Sequence, residues 1–280
     1  MAYFLVYFFY IYSILHLYLY KEVSFISQCE YTILLPNKLA VAFWGLTRSL
    51  KFTIKSIEDN IFNAFRENNI DFKIFQHTYY FDSIYNNPRA NESNVTLDFE
   101  EYKLLKADYL QRDDQDVIKS NLNLQQYYSK PDPWNSKYIS VNNFILSLYS
   151  KKQVTEMIKK CKEKFDIVIF LRCDVKYLNK FDINIINNID NNSLYIPNFA
   201  VFFGFNDRAC FCSYEKALIY GKLFDYMLEY SKKKPLHSEP FHHDILCKQL
   251  KINIKFIPFY FNRVRCDGKE NINDYKCARK

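Results

Sequence analysis

A chain of 280 residues with 49% hydrophobic content can bury a full core, and no Pro-, Gly- or Ser-rich linker divides it, so one large domain is expected. The formal charge of +7 is spread along the whole sequence, and its longest basic run is only Lys232 to Lys234, which fits an anionic small-molecule ligand and speaks against nucleic acid as a partner. Eight cysteines without a CxxC pair, and a CFC at 210–212 of the wrong spacing for a zinc knuckle, speak against structural zinc and for free thiols in a reducing compartment.

The first twenty residues, MAYFLVYFFYIYSILHLYLY, carry no charged side chain and are long enough to cross a bilayer, which takes about 20 residues. Six tyrosines and His16 weaken that apolarity, and no A-x-A-like cleavage site lies near residues 20 to 30. Residues 1–37 are expected to be either a hydrophobic N-terminal extension or a membrane anchor acting through residues 1–20, with a single domain over 38–280. An anchored chain would be membrane-associated, an unanchored one cytoplasmic.

The run KLAVAFWGL, residues 38–46, predicts a buried strand ending at Gly45. Residues 49–69 place Ile54, Ile57, Ile61, Phe62 and Phe65 on one face and Lys55, Glu58, Asp59 and Arg66 on the other, the period of an amphipathic helix. DFKIFQHTY, residues 71–79, predicts the next strand, so the domain opens with a βαβ unit whose first loop, GLTRS, lies at the ligand edge of a sheet. Residues 80–143 break the rhythm with NNPRANESN, DFEEY, QRDDQD and KPDPWN, and predict an insert that serves as a lid or acceptor-side subdomain. The triplets at Asn91, Asn94 and Asn191 have the form of glycosylation sequons, which matter only in a secretory lumen. A helix over 143–160 leads into IVIFL, residues 167–171, a β-branched and aromatic run buried on both faces that ends abruptly on Arg172 and Asp174. SLYIPNF and FFGFNDRACFC, a helix over 213–230, a helix over EPFHHDILCKQL and a closing strand IKFIPFYF complete an α/β domain.

Polar residues concentrate at a few places against this apolar background. Gly45 lets the chain turn after the first strand, and Arg48 ahead of the helix is placed either to receive a phosphate or to lay its stem on the sheet. Arg172 and Asp174, one residue apart at a strand end, can point to the same side, where a carboxylate can hold a divalent metal. Gly204 precedes Asn206, Asp207 and Arg208, which either meet a substrate or close a turn. His237, Glu239, His242, His243 and Asp244 gather at a helix start, as a general base with a His metal ligand or as an ordinary helix N-terminus.

Taken together, AFWGLTRS, TIKSIEDNIF, DFKIFQHTY, NPRANES, DPWN, LYSKKQVTE, IVIFLRCDVKYL and FFGFNDRACFC resemble the uncharacterised glycosyltransferase-like proteins of giant viruses and algae, over about residues 38 to 265. The resemblance implies a Rossmann-like nucleotide-sugar-binding domain of glycosyltransferase fold A, with a mixed central sheet and flanking helices. It also implies that a viral chain without an anchor would work in the cytoplasm of the infected host cell. In that group the segment similar to LRCDV reads Arg, Pro, Asp and takes the place of an Asp-x-Asp motif. Here Cys173 replaces the Pro and Arg172 the first Asp, which leaves Mn²⁺ or Mg²⁺ to Asp174 alone. The implied reaction moves a sugar from a nucleotide-diphosphate donor to a hydroxyl acceptor on a glycan, protein or lipid. Gly45, Arg48, Arg172, Asn206 and Arg208 would meet the donor, Glu239 would act as general base if the enzyme inverts the anomeric configuration, and Asp207 is the reserve. A reading from another class keeps the fold and drops the chemistry: a catalytically inactive, membrane-anchored carbohydrate-binding or scaffold protein.

Overall fold

Strands buried on both faces pair best in the middle of a parallel sheet, and β1 (Leu39–Trp44) and β6 (Ile167–Arg172) take that place side by side. The computed structural model describes residues 38–87 and 90–272; the stretch 1–37, where an anchor or extension is expected, lies outside the described residues. β1 pairs on its other side with β2 (Phe72–Tyr80), and β2 with β5 (Tyr109–Asp114), all in parallel. Beyond β6 come β9 (Cys210–Ser213), β8 (Ser193–Pro197) and β10 (Asn253–Ile257), giving the seven-stranded order β10-β8-β9-β6-β1-β2-β5. Only β9 runs antiparallel to its neighbours. This is the mixed central sheet with flanking helices that the sequence predicts.

Alternate residues of β1 and β6 feed two cores. Ala40, Ala42, Val168 and Phe170 face one core, shared with the helix α2 (Ile139–Lys160). Leu39, Val41, Phe43, Ile167 and Ile169 face the other, shared with α1 (Leu50–Ile57), which continues through a π turn, Glu58–Phe62, to Glu67. Among the described residues no helix is long and apolar enough to cross a membrane.

Two small ribbons sit at the carboxyl edge. β3 (Tyr85–Asn87) pairs with β4 (Glu92–Val95), and β7 (Val175–Tyr177) pairs with β11 (Phe261–Arg263). The first ribbon explains two of the sequon asparagines: Asn91 and Asn94 both have φ of +55°, a left-handed conformation that Asn tolerates better than most residues. The stretch 80–143 also supplies β5 to the main sheet. YLQRDD lacks an apolar alternation because it is the edge strand, with a single neighbour to satisfy.

Two predicted elements are divided in the structure. The helix expected over 213–230 becomes α3 (Tyr214–Gly221), a 3₁₀ turn over Lys222–Tyr226 and a second α segment over Met227–Lys233. At its break, Gly221 lies so close to α2 that a β-carbon there would sit 2.0 Å from the Thr155 hydroxyl. The closing strand IKFIPFYF splits into β10 and β11 around Pro258, which cannot donate to a ladder.

Candidate functional site

In an open α/β sheet, ligands bind outside the carboxyl ends of the strands where the strand order reverses. That point here is the junction of β1 and β6, where the register pairs Trp44 with Arg172 on one side and with His77 on the other. A cleft of about 380 Å³ opens there, and Gly45, Arg48, Arg172, Asp174, Asp207, Arg208 and Glu239 all line it. Seven of the eight predicted site residues thus come from four separate stretches of chain to one place. The eighth, Asn206, is fully buried, donating to the Phe199 carbonyl at 2.9 Å and accepting from the Arg208 amide at 2.9 Å. It shapes the loop and is not among the residues that line the cleft.

The β1 and β6 loops build a closed charge cluster. Arg172 donates Nε to Asp174 Oδ1 at 2.6 Å and Nη2 to Oδ2 at 2.5 Å, and Arg48 Nη2 donates to the same Oδ2 at 3.1 Å. Arg48 in turn bonds Glu92 Oε2 at 3.2 Å and the Tyr85 hydroxyl, both brought by the β3–β4 ribbon. Glu92 also accepts from the Cys266 amide at 2.9 Å, tying that ribbon to the C-terminal one. Arg172 further lies over the Trp44 ring, 5.3 Å from its centroid. Burial alone would raise the Asp174 pKa, but Arg172 and Arg48 outweigh it and hold the carboxyl well below the usual range.

Asp174 is the expected metal ligand, and its surroundings do not fit that role. Both of its oxygens accept charge-assisted hydrogen bonds, and a divalent ion would have to enter between two guanidinium groups. Of the expected histidines, His242 donates Nδ1–H to the Ser238 carbonyl at 2.7 Å, which leaves its Nε2 without a protein partner, and His243 packs on Phe205. Among the described residues no three His, Cys, Asp or Glu side chains gather in a metal-holding group.

The second cluster comes from the loop before β9 and from α4 (Ser238–His243). Glu239 is 5% exposed; its Oε2 accepts from the Ser238 hydroxyl at 2.6 Å and lies 3.1 Å from His237 Nδ1, while Oε1 is 3.9 Å from Arg208. Gly204 is required for this approach, because a β-carbon there would fall 1.9 Å from the Glu239 backbone carbonyl oxygen. Burial would raise the Asp207 pKa, but Arg208, His242 and Lys151 bring it down to about 2. Lys151 of α2 is itself buried, with Nζ on the Asp207 carbonyl at 3.2 Å and the Tyr220 hydroxyl at 3.1 Å and over the Trp44 ring at 4.4 Å; burial pushes it down to about 8.

Several lining and supporting residues escape sequence reasoning. Behind the Gly45 loop runs a buried relay: Asp113 Oδ2 to His77 Nε2 at 3.0 Å, His77 Nδ1 to Ser150 Oγ at 2.6 Å, and Ser150 Oγ accepting from the Gly45 amide at 2.8 Å. Ser150 is fully buried, so the relay fixes the loop and attacks nothing. Burial keeps His77 below its ordinary pKa in spite of Asp113. On the other side, Arg263 and Arg265 join the lining from the end of the β7–β11 ribbon. The alternation in NRVRC, with Val264 buried between them, is the signal that could have found this pair.

No family model matches the chain, and no curated protein matches it. Among solved structures, mouse xyloside xylosyltransferase 1 in its apo form is similar, at 14% identity and a TM-score of 0.42 over 79% of this chain and 85% of that one. So is the galactosyltransferase LgtC in complex with donor and acceptor sugar analogs, at 16% and 0.41 over 78% and 72%. The glycosyltransferase GlyE of Streptococcus pneumoniae TIGR4 follows at 15% and 0.37, with 78% of this chain covering 45% of that one. At identities and TM-scores this low, the case for function stands on the cleft itself.

Proposed function

We propose that the chain is a glycosyltransferase that moves a sugar from a nucleotide-diphosphate donor to a hydroxyl acceptor on a glycan, protein or lipid. The observation that carries this reading is one cleft, at the switch point of the sheet, lined by Arg48, Arg172 and Arg208 together with the carboxylates Asp207 and Glu239. Guanidinium groups suit a diphosphate, and a carboxylate beside them suits a hydroxyl that must lose a proton.

In this reading Glu239 takes the acceptor's proton as the acceptor oxygen bonds to the anomeric carbon. The bond from that carbon to the diphosphate breaks, its electron pair leaves on the diphosphate oxygen, and the arginines stabilise the charge that develops there. Ser238 orients Glu239 through its hydrogen bond to Oε2. Asp207, kept ionised beside Arg208, is the reserve base. The non-catalytic binding or scaffold role uses the same cleft, and one experiment separates the two. Released nucleotide is measured across a panel of nucleotide sugars, with and without hydroxyl acceptors. Acceptor-dependent release supports transfer, whereas donor binding with no release from any donor overturns it in favour of binding alone.

A further inference from the structure

We infer that the cleft grips the diphosphate of its ligand with guanidinium groups in the place of a divalent cation, with Arg265 as a principal phosphate contact. The inference deepens the donor reading and rests on it for the identity of the ligand.

The argument starts from the mismatch at Asp174. A metal that neutralises a diphosphate needs carboxylate oxygens with open lone pairs, and those of Asp174 are turned onto Arg172 and Arg48. The positive charge that a metal would bring is present in another form. Among the described residues lining the cleft, five arginines, Arg48, Arg172, Arg208, Arg263 and Arg265, stand against three carboxylates, Asp174, Asp207 and Glu239. One of those carboxylates is already shared between two of the arginines.

The C-terminal ribbon is built to deliver Arg265 to this place. β11 pairs Arg263 with Val175, two residues past the Arg172 and Cys173 turn, and the Val264 amide donates to the Asp174 carbonyl at 2.9 Å. Val264 is buried, so the side chains on either side of it project together toward the cleft. The Arg265 backbone is held at both ends, its amide on the Lys269 carbonyl at 2.9 Å and its carbonyl accepting from the Gly268 amide at 2.9 Å. Burial, then the neighbouring Arg263 and Arg48, press the Arg265 pKa down against the pull of Glu92 and Asp174. Arg265 shares the lining with Arg48 and Arg263, so an incoming anion is attracted to all three, and a planar fork suits two phosphate oxygens at once.

The test is titration calorimetry on the full-length chain in mild non-ionic detergent, with inorganic pyrophosphate and with UDP, GDP, CDP and ADP, each in excess EDTA and again in Mn²⁺. We expect at least one of these diphosphates to bind in EDTA with an affinity within about threefold of that in Mn²⁺. Arg265→Met should weaken this binding about 10- to 100-fold, and Arg265→Lys should restore part of it. Unchanged melting temperatures for both variants show that the loss is not one of folding; if Arg265→Met melts early, the Arg265→Lys variant decides. Binding that appears only with Mn²⁺, or that both variants leave intact, overturns the inference, as does the absence of diphosphate binding in either condition. Pyrophosphate binding in EDTA with no transfer from any nucleotide sugar would keep this inference and sink the transferase reading. Transfer that requires Mn²⁺ would do the reverse.

Discussion

Asp174 and Glu239 line the same cleft and are similarly buried, at 2% and 5% exposed, yet they are held in opposite ways. Asp174 accepts three hydrogen bonds from two arginines, all within 3.1 Å. Glu239 accepts one short bond from a neutral hydroxyl, and its nearest guanidinium is 3.9 Å away. A carboxylate saturated by cations is a poor proton acceptor and a poor metal ligand, but it sets two guanidinium groups rigidly in place. A carboxylate whose Oε2 meets one hydroxyl and His237 keeps the lone pairs of Oε1 for a substrate. Burial is common to both, and the partners decide how many lone pairs each carboxylate keeps open.

The sharpest way to break this contrast is at Glu239. Glu239→Gln keeps the shape and the Ser238 contact site while removing the base, so turnover should fall by about two to four orders of magnitude with donor affinity nearly unchanged. Full turnover in that variant would pass the role to Asp207. At Asp174 the expected effect lies in stability. Asp174→Asn takes the shared anion from two partly buried guanidinium groups, of which Arg48 keeps Glu92, and should cost roughly 1 to 3 kcal/mol, read from the urea midpoint. A variant as stable as the parent would show that Arg48 and Arg172 do not depend on that carboxylate.

The third prediction sharpens the contrast from beneath Glu239. Burial, reinforced by Lys151, lowers the His242 pKa from 6.5 to about 4. The folded state then refuses a proton that the unfolded state takes up, so this group's stabilisation is complete above pH 6.5 and is lost as pH falls toward 4. The loss should reach up to about 3 kcal/mol, and His242→Gln should flatten the stability profile in that window. An equally steep profile in the variant would place the acid sensitivity elsewhere.

Much of the fold and part of the cleft could be read in advance because they depend on short patterns. Leu39 to Trp44 and Ile167 to Arg172 announce themselves as doubly buried strands, and a strand of that kind ending in Arg and Asp points to the ligand edge. Arg48, Asp207 and Glu239 were legible for the same local reason, each following or flanking a glycine or a helix start. Asn206 read the same way and turned inward, since a polar residue in a tight loop serves its own backbone as readily as a ligand. Tyr85, Glu92 and Ser150 carried no comparable mark. Their roles arise across long separations, as when the Gly45 amide meets Ser150 at 105 residues or the Cys266 amide meets Glu92 at 174.

Sequence by itself therefore determined where strands run, which faces they bury and at which strand ends polar residues stand, because the periodicity of apolar side chains controls burial locally. Only the tertiary structure decided which charges neutralise one another. The spacing LRCDV offers Asp174 to a metal and to an arginine alike, and the choice falls to the guanidinium groups because β1, β6 and the C-terminal ribbon bring Arg48 beside Arg172 and thread Val264 past the Asp174 carbonyl. Electrostatic pairing in a buried cleft follows distances of a few ångströms, and those are set by sheet register between segments that lie far apart along the chain.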